Sequence, residues 1–319
     1  MKGPVPMPPR NTMMTDTARR GATSAAPSGA AFTLGIAWGL LGVLVWSGSF
    51  ILTRFGVQTT LGPFDIIALR FIVAGLLLAP VILRRGLAWR RLGPPGLALL
   101  VVGGGAPYAL LSAAGLQYAP AGQAAALIPG LMTAAVALIG IRALGEPLTP
   151  RRMAGVVAVL AGSITIAAVS AGPGQTPGHA IFLCAALVWT GYVMVLRRSG
   201  IDGLHATAIA AVMSALCYLP VYALFLPSAL ATAPFADMAI QAIYQGVGAT
   251  VLGLYAFNQA VRRLGAGGGA ALSALIPVVT MGLAAPLLGE VPGPIDLVAA
   301  LLITAGVLLL TVMRGHGRR

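Results

Sequence analysis

The chain has 319 residues, of which 58% are hydrophobic and only 8% are charged, and its mean hydropathy is +0.92. This composition excludes an ordinary water-soluble globule, because such a fold cannot bury that much apolar surface. The formal net charge of +13 is also typical of nucleic-acid-binding proteins. Here, however, the arginines form short clusters between apolar runs, without the aromatic interleaving of a nucleic-acid surface. The composition therefore predicts a lipid bilayer as the surroundings and no nucleic-acid partner.

Ten apolar stretches have roughly the length of about 20 residues that a helix needs to cross a bilayer. They predict an all-α polytopic membrane protein. The predicted membrane-spanning helices are Gly35–Phe55, Phe64–Leu83, Gly96–Gln117, Gly122–Ile141, Met153–Ser170, Gly178–Leu196, Leu204–Leu226, Ala236–Val261, Gly267–Leu288 and Ile295–Met313.

Outside these spans, residues 1–32 are rich in Pro, Ala, Ser and Thr, which is typical of a disordered tail. Residues 314–319 form a short C-terminal tail. If the N-terminus is cytoplasmic, 18 of the 20 Lys and Arg residues fall on the cytoplasmic side, and the exceptions are Arg54 and Arg70. This bias predicts that both termini are cytoplasmic.

The two halves of the chain repeat the same phrases. Gly145-Glu146 recurs 144 positions later as Gly289-Glu290, and the phrase that begins at Trp46 recurs 143 positions later at Trp189. The repeats are predicted over residues 33–172 and 173–313, with five spans in each. Because five is an odd number, the second repeat enters the membrane from the opposite face, and such inverted repeats favour alternating access around one central site.

These features together resemble the EamA family of the drug/metabolite transporter superfamily. The resemblance rests on the ten spans, the W-S/T-G phrase of each repeat, Arg70 in FDIIALRF, and L-G-E followed by a glycine-bearing helix. It covers Gly35 to Met313. It implies a carrier of the bacterial inner membrane, often an exporter of amino acids, metabolites or toxic small molecules, with a cavity built from helices 1, 3, 4, 6, 8 and 9.

One position departs from the family pattern. The family places a proline 13 residues before the L-G-E glutamate, and Pro277 keeps that spacing. In the first repeat Thr133 stands there and Pro129 comes a turn earlier. Pro107, Pro129 and Pro277 are all predicted to break or gate their helices, since freed backbone groups are tolerated only beside protein or a water-filled cavity. Close packing by small residues is the alternative.

Polar and aromatic residues inside the spans are candidates for the substrate cavity. In the eighth span they recur at three and four residue spacing, which in an α-helix places them on one face. Interhelical hydrogen bonds are the alternative explanation for that stripe. An ion pair or a contact with the outer surface near Asp65 is the alternative for Arg70. The candidates are Trp46, Arg70, Tyr108, Ser112, Trp189, Tyr244, Gln245, Tyr255 and Asn258.

Glu146 and Glu290 are predicted to cap the helices that follow them, with gating as the alternative, and Arg54 is predicted to be an interfacial anchor. No carboxylate lies at the middle of a span. No Walker A, H-E-x-x-H or G-x-S-x-G motif occurs. We therefore predict no cofactor, no metal site and no catalytic residue.

The predicted function is a secondary transporter, an exporter of small metabolites such as amino acids, rather than an enzyme. The alternatives are a non-transporting membrane scaffold and an intramembrane enzyme acting on lipid-linked substrates. Small-residue spacing such as Gly35 to Gly39 is compatible with packing inside one chain and with a homodimer.

Overall fold

The computed structural model describes Gly3 and residues 29–311, and within 29–311 every regular element is helical. Ten helices in this range are long and apolar enough to cross a membrane, which confirms the predicted number. We call them spans 1 to 10: Ala30–Gln58, Pro63–Arg85, Trp89–Gly115, Ala121–Ala143, Pro150–Val169, Thr176–Ser199, Gly203–Phe225, Phe235–Gly265, Gly267–Leu288 and Pro294–Thr311.

The first helix begins at Gly29, so residues 29–32, which were assigned to the tail, are helical. The remainder of the predicted N-terminal tail, apart from Gly3, and the tail over 314–319 lie outside the described residues.

The connections between spans lie at two ends of the bundle. We call the end at which span 1 begins the near face and the opposite end the far face. Contacts between connections follow this division: Arg85 pairs with Asp202 at the near face, while Thr60 bonds to Asp237 at the far face.

Spans 3 and 9 are each interrupted in their interior. Span 3 consists of the helices Trp89–Gly104 and Ala106–Gly115, separated by Gly105 in a non-helical conformation. The amide of Ala106 that this break frees donates to Ser214 Oγ of span 7 over 2.9 Å. Span 9 is interrupted at residues 274–275, where Ala274 and Ile276 carbonyls accept from Thr304 and Ser47. Neighbouring spans therefore satisfy the backbone groups at both breaks, as lipid requires.

Pro107 and Pro277 lie just after these breaks, in the first turn of the new helix. Pro129 does not interrupt span 4, where the helix runs without a break from Ala121 to Leu144. The prediction of a break there is corrected. The helix continues although Pro129 has no amide to donate to the Ala125 carbonyl, and that carbonyl loses its intrahelical bond.

Span 8 begins with the helix Phe235–Gln241, continues as a π-helix over Ala242–Leu252 and then as an α-helix from Gly253, which ends at Gly265, a residue with φ +77°. The wider π-helical turn is visible in backbone bonds five residues apart, such as the one from the Gly253 amide to the Gly248 carbonyl. A polar stripe written at α-helical spacing therefore does not stay on one face of span 8.

The spans pack as pairs that join the two halves. Span 1 packs against span 8 and span 6 against span 3; span 2 packs against span 7, span 5 against span 10, and span 4 against span 9. When each span is replaced by its counterpart five places along the chain, this set of pairs maps onto itself. The contacts thus have the two-fold relation expected of a duplicated unit.

Spans 5 and 10 approach each other most closely at glycines. A Cβ added to Gly306 would lie 2.7 Å from the Gly155 carbonyl oxygen, and one added to Gly162 would lie 2.7 Å from that of Ala299. Such separations are shorter than a carbon and an oxygen tolerate, so only glycine permits this backbone approach.

Replacing Gly306 with alanine is expected to lower the free energy of unfolding by about 1–3 kcal/mol, because the added methyl group meets backbone that cannot move aside. The measurement is thermal unfolding in detergent, followed by intrinsic tryptophan fluorescence. Gly282→Ala is the matched control, since a Cβ there meets nothing within 4 Å. Equal melting temperatures for the two variants would contradict the packing argument.

Candidate functional site

A glutamate follows the glycine that ends span 4. Gly145 has φ +63°, a left-handed conformation that glycine adopts without strain, and it turns the chain so that Glu146 faces back to the bundle. The carboxylate of Glu146 accepts hydrogen bonds from Arg152 of span 5 and from Arg197 at the end of span 6. One acid at the near face thereby ties the first half of the chain to the second.

The same construction recurs at the other end of the bundle. Gly289, with φ +71°, ends span 9, and Glu290 follows it. Glu290 Oε1 accepts from Arg54 Nε of span 1 over 2.6 Å, and Oε2 accepts from the amide of Ala121 over 2.8 Å. The side chains of Arg54 and Glu290 are only 10% and 16% exposed. Arg54 Nη1 also donates to the carbonyl of Leu116.

These two ion pairs are equivalent in the repeat. Glu146 and Glu290 are 144 positions apart, and Arg54 and Arg197 are 143 apart, the offset already given for the tryptophans. Each pair joins an acid of one half to an arginine of the other. They lie at opposite ends of span 4, because Glu290 contacts its first residue and Glu146 lies against Gly140 near its last turn. We call them the reciprocal ion pairs.

The sequence prediction for these residues needs two corrections. Neither glutamate caps the helix that follows it: Thr149 caps span 5, and Glu290 bonds instead to the first amide of span 4. Arg54 is not an interfacial anchor but a buried cation with a carboxylate partner, because the far ends of spans 1, 4 and 9 converge around it. The 143-residue offset from Arg54 to Arg197 was the available signal.

A polar chain at the far face was also missed. His179 Nε2 lies 2.7 Å from Gln123 Oε1, and Gln123 Nε2 donates to Asp296 Oδ1 over 3.0 Å. Ser170 donates to the same carboxylate oxygen. The chain links spans 4, 5, 6 and 10, and nothing in the local spacing of these residues indicates it, since each comes from a different span.

The polar stripe of span 8 divides at the π-helix. Gln245 is fully buried and bonds to Ser49 and Thr53 of span 1, while Gln241 donates to the carbonyl of Leu52. Tyr244 donates to the carbonyl of Val45 and lies over Gly48. These side chains attach span 8 to span 1 and have no polar group left for a ligand in this conformation.

Three further candidates lie apart from one another. Trp46 donates to the carbonyl of Ala249 and packs on Phe257, so it belongs to the same contact between spans 1 and 8. Tyr255 is half exposed and meets Trp38 edge to face. Asn258 lies beside Gly203 at the start of span 7. The structure does not gather these residues around one point.

Arg70, Tyr108 and Trp189, in contrast, do come together. The rings of Tyr108 and Trp189 have centroids 5.2 Å apart, and both pack against the central apolar cluster of the bundle. Arg70 lies over the ring of Phe71, with its Cζ 5.8 Å from the ring centroid, and Tyr108 packs against the apolar cluster that contains Phe71. Ser112, one turn after Tyr108, is on the same face of span 3. Spans 2, 3 and 6 thus meet in a small polar and aromatic group.

The fold and these contacts define a class: an integral membrane protein made of two equivalent halves joined by ion pairs at opposite faces. The chain belongs to the EamA-like transporter family, whose model matches it twice, over residues 33–168 and 176–312. The family resemblance predicted from the sequence is confirmed.

A relative and a solved structure agree with this assignment. The chain is 31% identical over 292 residues to a protein of Streptantibioticus cattleyicolor named as a probable terminal-alkyne amino-acid exporter, covering 88% of this chain and 95% of the relative. A crystal structure that is 21% identical covers 89% of this chain and 98% of its own, with a TM-score of 0.59, and it supports the fold alone.

Replacing Glu290 with glutamine is expected to lower the free energy of unfolding by about 3 kcal/mol or more, because it leaves the buried guanidinium of Arg54 without a counter-ion. Thermal unfolding in detergent measures this loss. The double variant Arg54→Gln, Glu290→Gln should cost less than the sum of the single variants. Arg85→Gln is the control, since its pair with Asp202 is about half exposed and contributes about 1 kcal/mol or less. Strict additivity would contradict a direct pair.

The near-face pair is expected to weaken in acid. Burial by itself raises the pKa of the Glu146 carboxyl, but the hydrogen bonds and charges of Arg152 and Arg197 together outweigh it, so the pKa lies below its usual value. The resulting stability is complete above the pKa of an unfolded glutamate, about 4.3, and is lost as the pH falls through the lower folded pKa.

Melting temperatures of the wild type and Glu146→Gln across pH 3–7 test this dependence. Their difference should be constant near neutral pH and shrink below about pH 4. A difference that stays the same, or grows, on acidification would show that Glu146 is not ionised in the pair.

Proposed function

We propose that this protein is a secondary exporter of small metabolites, amino acids or related compounds, in a bacterial inner membrane. The near face is the cytoplasmic face, since the arginines in the connections between spans lie there. Both termini are then cytoplasmic, and the halves over 33–172 and 173–313 are inverted with respect to each other. The relative named as an amino-acid exporter supports both the outward direction of transport and the class of substrate.

The observation that carries the mechanism is the set of reciprocal ion pairs. Each face is held by one Arg–Glu pair between the halves, and the pairs are chemically alike. Opening one face requires one pair to separate and become hydrated while the other stays closed. Because an equivalent Arg–Glu pair between the halves closes each face, either face can open while the other stays closed, which suits alternating access.

Family membership favours a transporter over an intramembrane enzyme. A measurement of substrate flux distinguishes a transporter from a non-transporting scaffold. Purified protein in proteoliposomes should give saturable flux of some member of an amino-acid panel, with and without an imposed pH gradient. Folded protein that carries no panel member under either condition would contradict the proposal.

Thiol labelling tests the gating role. Ser112→Cys is introduced into a chain that also carries Cys184→Ser and Cys217→Ser, and its labelling by a membrane-impermeant thiol reagent is measured. Glu290→Gln should increase labelling from the outside and Glu146→Gln from the cytoplasm, because each removes the closure of one face. Arg85→Gln, which breaks only an exposed pair, should leave labelling from both sides unchanged. Increased labelling from the same side in both glutamate variants would contradict reciprocal gating.

A further inference from the structure

We propose that Arg70 binds the carboxylate of the substrate and that Tyr108 and Trp189 hold the rest of the molecule. This rests on the proposed function and specifies its substrate class: a small molecule with a free carboxylate, of amino-acid size. Spans 2 and 3 of the first half and span 6 of the second half supply the site.

Arg70 is an unpaired cation at membrane depth. It lies seven residues after the start of span 2, about 10 Å along the helix. None of the ion pairs within residues 29–311 includes it, and its Nε is buried without a hydrogen-bond partner. A cation there costs about 2.5–3.5 kcal/mol on insertion scales. An arginine held at this cost without a counter-ion is suited to an anion that arrives from outside the chain.

The nearest acid along span 2 does not serve as that counter-ion. Asp65 is buried at the far face, where its oxygens accept from Tyr222 Oη at 2.6 Å and from the amides of Gly62 and Ala229. Its charge is therefore satisfied by the connection between spans 7 and 8. This removes the ion pair with Asp65 that the sequence left as the alternative for Arg70.

The aromatic pair beside Arg70 lies inside the bundle. Tyr108 packs against two separate apolar clusters, one around Phe182 and one around Phe71, and Trp189 packs against the first. Span 3 is broken just before Tyr108, at Gly105, so its second helix is set at its own angle. The two rings, tilted by 34°, give a surface on which a short apolar side chain or an ammonium group can lie.

The chemistry of these groups discriminates between substrates. A guanidinium binds a carboxylate through two parallel hydrogen bonds, and in a site of low dielectric this bond is stronger than in water. An amine that lacks the carboxylate meets the positive charge of Arg70 and is repelled. An acid that lacks the amine loses only the contact with the rings. The expected order is therefore amino acid, then deaminated acid, then decarboxylated amine.

Three compounds that differ only in these groups test the order: L-propargylglycine, 4-pentynoate and 3-butynylamine. Stabilisation of purified wild-type protein against heat measures binding, and competition with flux in proteoliposomes measures transport. Arg70→Gln should raise the concentration of L-propargylglycine for half-maximal stabilisation about 10- to 100-fold, while Arg70→Lys should retain part of the affinity. Arg84→Gln, at the exposed end of the same helix, is the matched control.

The outcomes separate this inference from the proposed function. Binding that needs the carboxylate and Arg70, with flux, supports both; the same binding without flux supports the site and contradicts transport. Flux in which the amine competes as well as the acids, or in which Arg70→Gln keeps the preference for acids, supports transport and overturns the site. If none of the three compounds binds and none is transported, the proposed site is overturned, whatever the wider panel shows.

Discussion

The structure depends first on the high cost of leaving a backbone polar group without a hydrogen-bond partner in lipid. Where a span is regular, its own helix satisfies the backbone. Where it is interrupted, another span supplies a partner: Ser214 bonds to the freed amide in span 3, and Thr304 bonds to the Ala274 carbonyl in span 9. The break in span 3 thereby becomes a contact between the two halves, because Ser214 belongs to span 7.

The reciprocal ion pairs follow the same rule at the two faces. A buried pair contributes little net stability, since desolvation offsets much of the attraction, but removing one partner is costly. This property suits the opening proposed for these contacts, because separating the ions into water restores their hydration. The pair also specifies how the halves pack. The buried arginine at the far face is stable only in the packing that places Glu290 beside it.

The sequence was sufficient for the number of spans, the duplication and the family, because apolar length, a 143 to 144-residue offset and the L-G-E phrases are local or periodic signals. It was not sufficient to predict which polar residues contact one another in the folded protein. The prediction of one polar face on span 8 assumed α-helical spacing. Because part of the span is a π-helix, Gln245 packs against span 1 while Tyr255 faces outward. Glu290 bonds to Arg54 and to the amide of Ala121, which belong to spans distant from it in sequence. Only the assembled bundle brings the three residues together.

The reciprocal pairs also have a consequence for biogenesis. Each half supplies an arginine to one face and a glutamate to the other, so pairing needs halves that run in opposite directions. If the second half were threaded into the membrane in the same direction as the first, two arginines would meet at one face and two glutamates at the other. Like charges would then face each other: Arg54 and Arg197 would share no carboxylate, and Glu146 and Glu290 would share Arg152 alone. The same contacts that hold the faces closed thus distinguish a correctly inserted chain from a mis-inserted one during its assembly.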